Sequence, residues 1–177
     1  MISSEALAAR LGTSVYRGIV VTVALMAFFV MVFASTMVNV AIPNVMGTFG
    51  VGLDKAQFLT SAFLATTVAS LLANTWLIAR FGQPAIFSMC LIVFIVGSFI
   101  SSFSPTLDMI IFGRVIQGFG AGVIQPLIMV LLFDIFPPEK RGMAMGFFSM
   151  GVGFALGLAP ALGGIVVDVL GWRYVFL

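Results

Sequence analysis

The sequence predicts an all-α membrane protein with five transmembrane helices and the start of a sixth. Three observations carry that prediction. The 177 residues are 62% hydrophobic and only 8% charged, with a mean hydropathy of +1.24. Soluble domains average about 25% charged residues, so water is not this chain's solvent. Five apolar runs, at about residues 18–42, 58–79, 85–103, 109–133 and 143–167, are each long enough to cross the ~30 Å of bilayer hydrocarbon. Glycine, proline and charge gather in the short stretches between them.

The same composition excludes several functions. A net charge of +2, dispersed along the chain, does not suit nucleic acid. There is no histidine and one cysteine, Cys90, inside an apolar run, so an internal disulfide and the usual Cys/His metal sites are ruled out. Cys90 reads as a packing residue. No polar linker marks a second domain, and no catalytic residue stands out.

Residues 1–17 read as a cytoplasmic N-terminal segment, in which Ser3 or Ser4 caps an amphipathic turn through Glu5 and Leu11 at the membrane surface. Residues 18–177 form the helical bundle. The run from Gly18 to Ile42 exceeds the apolar core of a signal peptide and reads as a retained spanning helix, with Ser35, Thr36 and Asn39 in its second half and Pro43 ending it. A polar, glycine-containing loop is expected over 44–57. The second span carries Asn74 and an interfacial Trp76, then turns tightly through Arg80-Phe81-Gly82-Gln83-Pro84 into the third. Ser104-Pro105 starts the next turn.

Between Asp108 and Asp134 the one charge is Arg114. A helix over 109–133 is about 37 Å long, so this arginine lies within the span. It costs at least ~2.5 kcal/mol on insertion scales and is expected to face protein, with Gln117, Gly118, Ala121, Gly122 and Gln125 along its side of the helix. Its expected partners are Asn39 or the end of the fifth helix; the bland alternative is snorkelling to the interface. Paired prolines and charges make Asp134–Gly142 a loop. In the fifth span Gly146, Gly153, Gly157, Pro160 and Gly164 recur on one face, which is expected to pack closely on another helix, by itself no more than a dimerisation face. The sixth helix begins near 172. Arg10, Arg17, Arg80, Lys140 and Arg141 fall on one side and Lys55 and Arg173 on the other, which places the N-terminus in the cytoplasm.

The string Gly113-Arg114-Val115-Ile116-Gln117-Gly118-Phe119-Gly120-Ala121-Gly122 resembles the R-x-x-Q-G-x-G-A pattern on the fourth helix of major facilitator superfamily antiporters. Thr36 to Pro43 resembles the first-helix signature D-x-T-I-V-N-V-A-L-P of the fourteen-helix drug:proton antiporters, with Ala34 at the acidic position. Leu77, Arg80 and Gly82 match the loop motif G-x-L-a-D-R-x-G-R-R, whose acid falls on Ala79 and whose basic pair falls on Gln83-Pro84. Phe136 to Gly142 is similar to F-P-P-E-x-R-G, and Gly157 to Gly164 to G-x-x-G-P-x-x-G-G with Ala159 before the proline. Trp172-Arg173 through Phe176 matches W-R-x-x-F at the start of the sixth helix.

The resemblance implies most of the N-terminal six-helix half of a major facilitator transporter of the multidrug-efflux kind. It implies proton-coupled efflux of lipophilic small molecules by alternating access, without a cofactor. By that resemblance Arg114 and Gln117 serve coupling, and Asn39 and Thr36 line the cavity. Gly118, Gly120, Gly153, Gly157, Pro160, Gly163 and Gly164 serve packing and conformational change, while Arg80, Gly82 and Arg141 belong to cytoplasmic loops. Expected partners are the lipid bilayer, a small lipophilic or cationic substrate, protons, and missing C-terminal helices or a second copy. The expected location is the bacterial cytoplasmic (inner) membrane. No span holds a carboxylate, so a proton-carrying acid is expected elsewhere, or Asp108 acts from the rim. With five spans the chain reads as a fragment or truncated product. The alternatives are a non-transporting membrane protein or assembly subunit, and a solute importer of the same superfamily.

Overall fold

A computed structural model describes residues 13–177. The amphipathic turn expected between Ser3 and Leu11 lies outside the described residues. Five long helices follow one another: α1 (Thr13–Phe49), α2 (Phe58–Phe81), α3 (Gln83–Ser102), α4 (Leu107–Ile135) and α5 (Pro138–Val169). Each is long and apolar enough to cross a membrane. A single helical turn, Leu53–Ala56, sits between α1 and α2, and a 3-10 turn, Trp172–Phe176, follows α5.

Two expectations about helix ends are corrected. Pro43 does not end α1, which continues through it to Phe49, so most of the expected loop over 44–57 is helical. A proline removes one N–H from the ladder, and a long helix packed against neighbours tolerates that loss. The loop expected from Asp134 to Gly142 shrinks to the link between Ile135 and Pro138. Proline suits the first turn of a helix, where its missing N–H has no partner to lose.

The short links are made by residues suited to them. Gly82, at φ 79, joins α2 to α3 while its N–H caps the carbonyl of Ile78 at 2.9 Å. At the other end of the bundle Thr106 caps α4, accepting from the Met109 N–H.

Consecutive helices are not always neighbours. α2 and α3 touch little; α4 lies between them and packs extensively on both. α1 packs chiefly on α5 and also crosses α4. The apolar core falls into two clusters. The larger joins Phe28 and Met31 to Phe94, Ile124 and Ile128. The smaller joins Val38, Ala41 and Val45 to Leu59, Ile110, Trp172 and Phe176. The 3-10 turn is therefore no loose end. Trp172 Nε1 donates to Thr48 Oγ1 at 3.0 Å, and Arg173 Nη2 donates to the Ser104 carbonyl at 3.3 Å.

Candidate functional site

Glycine decides how α4 sits. Its glycines face two ways. Gly113 and Gly120 abut α3, where a Cβ at Gly120 would stand 2.6 Å from the Cys90 carbonyl oxygen and one at Gly113 2.8 Å from that of Gly97. Gly118 and Gly122 abut α2, where a Cβ would strike the carbonyl oxygens of Phe63 and Thr67. Only residues without a side chain allow two backbones this close on both sides. Thr67 Oγ1 adds a bond to the Gly118 carbonyl (3.2 Å), and Asn74 Nδ2 one to that of Val123 (3.1 Å).

Within this three-helix contact lies the cluster around Arg114. Arg114 and Gln117 are both fully buried. Arg114 Nε donates to the carbonyl oxygen of Leu59 on α2 at 3.1 Å. Its Nη1 donates to Gln117 Oε1 at 2.9 Å, and Gln117 Nε2 donates in turn to Ser98 Oγ on α3 at 2.7 Å. The guanidinium also lies over the ring of Phe63, a favourable placement for a desolvated cation. Nη2 is buried with no hydrogen-bond partner among the described residues.

A charge this far from water is held by dipoles and a π face, and no carboxylate faces it among the described residues. The cluster holds neither carboxylate nor histidine, the groups that exchange protons near neutral pH. It offers a fixed charge and one free donor, with geometry set by two helices.

The other candidate residues separate from this cluster. Asn39 is exposed and is not a partner of Arg114; it accepts from Thr60 Oγ1 at 2.9 Å. Thr60 follows Leu59, so the two polar contacts meet α2 at adjacent residues on different sides. Thr36 Oγ1 bonds back to the Val32 carbonyl in its own helix. Gln125 is exposed, whereas Ala121 and Gly122 are buried with Arg114.

The expected packing face of α5 meets no other helix among the described residues. Gly146, Gly153, Gly157 and Gly164 have no described neighbour within reach of a Cβ, and Pro160 is exposed. α5 instead turns Phe148, Ala155, Ala159 and Gly163 inward, and Gly163 meets Met37 of α1. The outward stripe is thus the side away from α1. Arg114 and Gln117 are enclosed by α2 and α3 and do not lie on an open surface.

At the loops, Arg80 is exposed beside Trp76 and Phe81, and Gly82 makes the turn. Arg141 closes the end of α4, donating from Nη2 to the Phe133 carbonyl (2.8 Å) and from Nε to that of Phe136 (3.3 Å). Sequence reasoning missed Leu59, Thr60, Phe63 and Ser98. A backbone carbonyl leaves no trace in a sequence; Gly97-Ser98 with Ser101, one turn on, was the available signal on α3.

Residues 24–177 match the family model described as Major Facilitator Superfamily. The multidrug export protein EmrB of Haemophilus influenzae is 37% identical over 159 residues, 89% of this chain and 31% of that protein. EmrB of Escherichia coli K12 is 36% identical over the same length and shares. The uncharacterized MFS-type transporter YhcA of Bacillus subtilis is 34% identical over 148 residues, 84% of this chain and 28% of that protein. The chain spans about a third of the length of the curated relatives it matches.

Proposed function

This chain belongs to the Major Facilitator Superfamily, and on that premise we propose that it forms part of a proton-coupled carrier exporting lipophilic small molecules by alternating access. It is a multi-pass membrane protein, and the reading places it in a bacterial cytoplasmic membrane with its N-terminus inside. The observation that carries the proposal is that 89% of the chain aligns with a protein named for multidrug export, while the one fully buried charge among the described residues sits on α4 with a donor that has no described partner. Arg114 and Gln117 act as the fixed positive element of coupling. The acid that exchanges the proton comes from outside the described spans. Asn39 and Thr36, on the second half of α1, face the transport path.

A hybrid tests this. The chain replaces the stretch it matches in the Escherichia coli EmrB protein, and efflux of a fluorescent lipophilic compound is followed in cells and vesicles. Uncoupler-sensitive efflux that is lost in Arg114→Ala, at unchanged expression, supports the reading. Uptake in place of efflux, or full efflux by the variant, refutes it.

A further inference from the structure

α4 carries a proline inside its span, Pro126. Proline has no N–H to give the carbonyl four residues back, so the Gly122 carbonyl loses its helical donor. A main-chain acceptor left unpaired away from water costs about as much as a lost hydrogen bond. In membrane spans, neighbouring helices or ordered waters restore such groups.

Asn74 of α2 stands at this break. It is 5% exposed, and its Nδ2 donates to the carbonyl of Val123, the residue after Gly122, at 3.1 Å. Only the nitrogen of the amide can make that bond, which fixes the orientation of the side chain. Its Oδ1 is buried with no hydrogen-bond partner among the described residues. Asn74 and Pro126 line one notch of ≈ 210 Å³, together with Leu71, Thr75, Ile78 and Val130. Two acceptors short of a donor thus flank one hydrogen bond: the side-chain oxygen of Asn74, and the main-chain oxygen that Pro126 leaves without an N–H.

We propose that one ordered water in this notch bridges Asn74 Oδ1 and the Gly122 carbonyl, completing the hydrogen bonding of α4 across Pro126. Its two hydrogens serve the two acceptors, and its oxygen accepts from the Thr75 hydroxyl. About three such bonds are what a buried water makes. Leu71, Ile78 and Val130 offer no further partner, so the notch fixes a single water. An acyl chain or an apolar side chain has no donor for Oδ1. The volume also falls below the ~300–1,000 Å³ of sites that enclose a drug-sized compound. The demand arises between α2 and α4 themselves and does not depend on what lies against the notch.

The sequence makes the test simple. Asn39 and Asn44 are the other two asparagines, and both are exposed. With Asn39→Ser and Asn44→Ser, asparagine isotope labelling of the full 177-residue chain in lipid nanodiscs leaves the Asn74 amide as the one labelled side chain. Magnetisation transfer between its protons and water is recorded by NMR in the laboratory and rotating frames. The cross-peaks should have opposite signs, as for a water held far longer than surface hydration. No water cross-peak, or one of the same sign in both frames, overturns the proposal. This reading needs no change inside the notch, so it does not rest on the folding of a notch variant. Thr75→Val should keep the cross-peak, since two bonds to the water remain. Its loss in that variant assigns the signal to the Thr75 hydroxyl and overturns the proposal. Pro126→Ala returns an N–H to the Gly122 carbonyl and should weaken the cross-peak several-fold. An undiminished cross-peak there overturns the bridge to Gly122.

Discussion

The guanidinium carbon of Arg114 stands 4.1 Å from the ring centroid of Phe63. Phe63 lies one turn along α2 from Leu59, whose carbonyl accepts from Nε. One helix therefore supplies both the acceptor and the π face for a charge that has no counter-ion among the described residues. A desolvated cation–π contact is worth about 2 kcal/mol, enough to offset most of the insertion penalty of an arginine.

Replacing that ring should be felt at once. Phe63→Leu keeps the site apolar but removes the π face, and it should destabilise the chain by about 2–3 kcal/mol, with Phe63→Tyr much milder. Unfolding equilibria in bicelles measure this. A loss no larger than that of an ordinary core Phe-to-Leu change elsewhere, such as Phe94→Leu, removes the cation from the explanation.

Glycines of α4 and α5 should behave oppositely. Gly118→Ala or Gly122→Ala places a methyl group on a carbonyl of α2 and should cost about 1–3 kcal/mol. Gly146→Ala or Gly157→Ala meets open space and should be neutral or stabilising by up to ~1 kcal/mol. The same unfolding measurement on the four variants checks the contrast.

The Gln117 side chain links two helices, and its loss should exceed that of its neighbour. Gln117→Leu strands Arg114 Nη1 and should cost about 2–3 kcal/mol, whereas Ser98→Ala should cost about 1 kcal/mol. In a double-mutant cycle the two should be coupled by at least ~0.5 kcal/mol. Additive effects would mean that the bond between Gln117 and Ser98 contributes nothing.

Topology is open to labelling. Gln83→Cys, at the turn after Gly82, should resist a membrane-impermeant thiol reagent in intact cells and react in inverted vesicles. Cys90, buried, should stay silent in both and serve as the internal control. Labelling of Gln83→Cys from outside reverses the orientation read from Arg80, Lys140 and Arg141.

The helices were legible because hydropathy reports length directly, and the structure moved their bounds by only a few residues, except at α1. There Pro43 reads as a stop, since proline forbids one hydrogen bond; what lets α1 run on to Phe49 is packing of Val45 against Leu59 and its neighbours, which no local rule contains. The glycine patterns of α4 and α5 look alike in sequence, yet one is filled and the other open. A small residue permits close approach but does not name the partner. Arg114 stood out by its charge, whereas Leu59 could not, because its contribution is a main-chain oxygen. Asn39 appeared a natural partner for Arg114 by polarity alone; the intervening turn of α2 gives each of them a different acceptor or donor.

The partners of the Arg114–Gln117 pair also set an order of events during synthesis. Leu59 and Phe63, which meet Arg114, and Ser98, which accepts from Gln117, all precede the pair in the chain, on helices that leave the ribosome first. Gln117 arrives within the same helical turn. When α4 reaches the bilayer, the carbonyl and ring that meet its charge and the hydroxyl that meets Gln117 are already in place. The arginine need never wait in lipid for a later helix, so the step that looks least favourable by composition is prepared by the two spans before it.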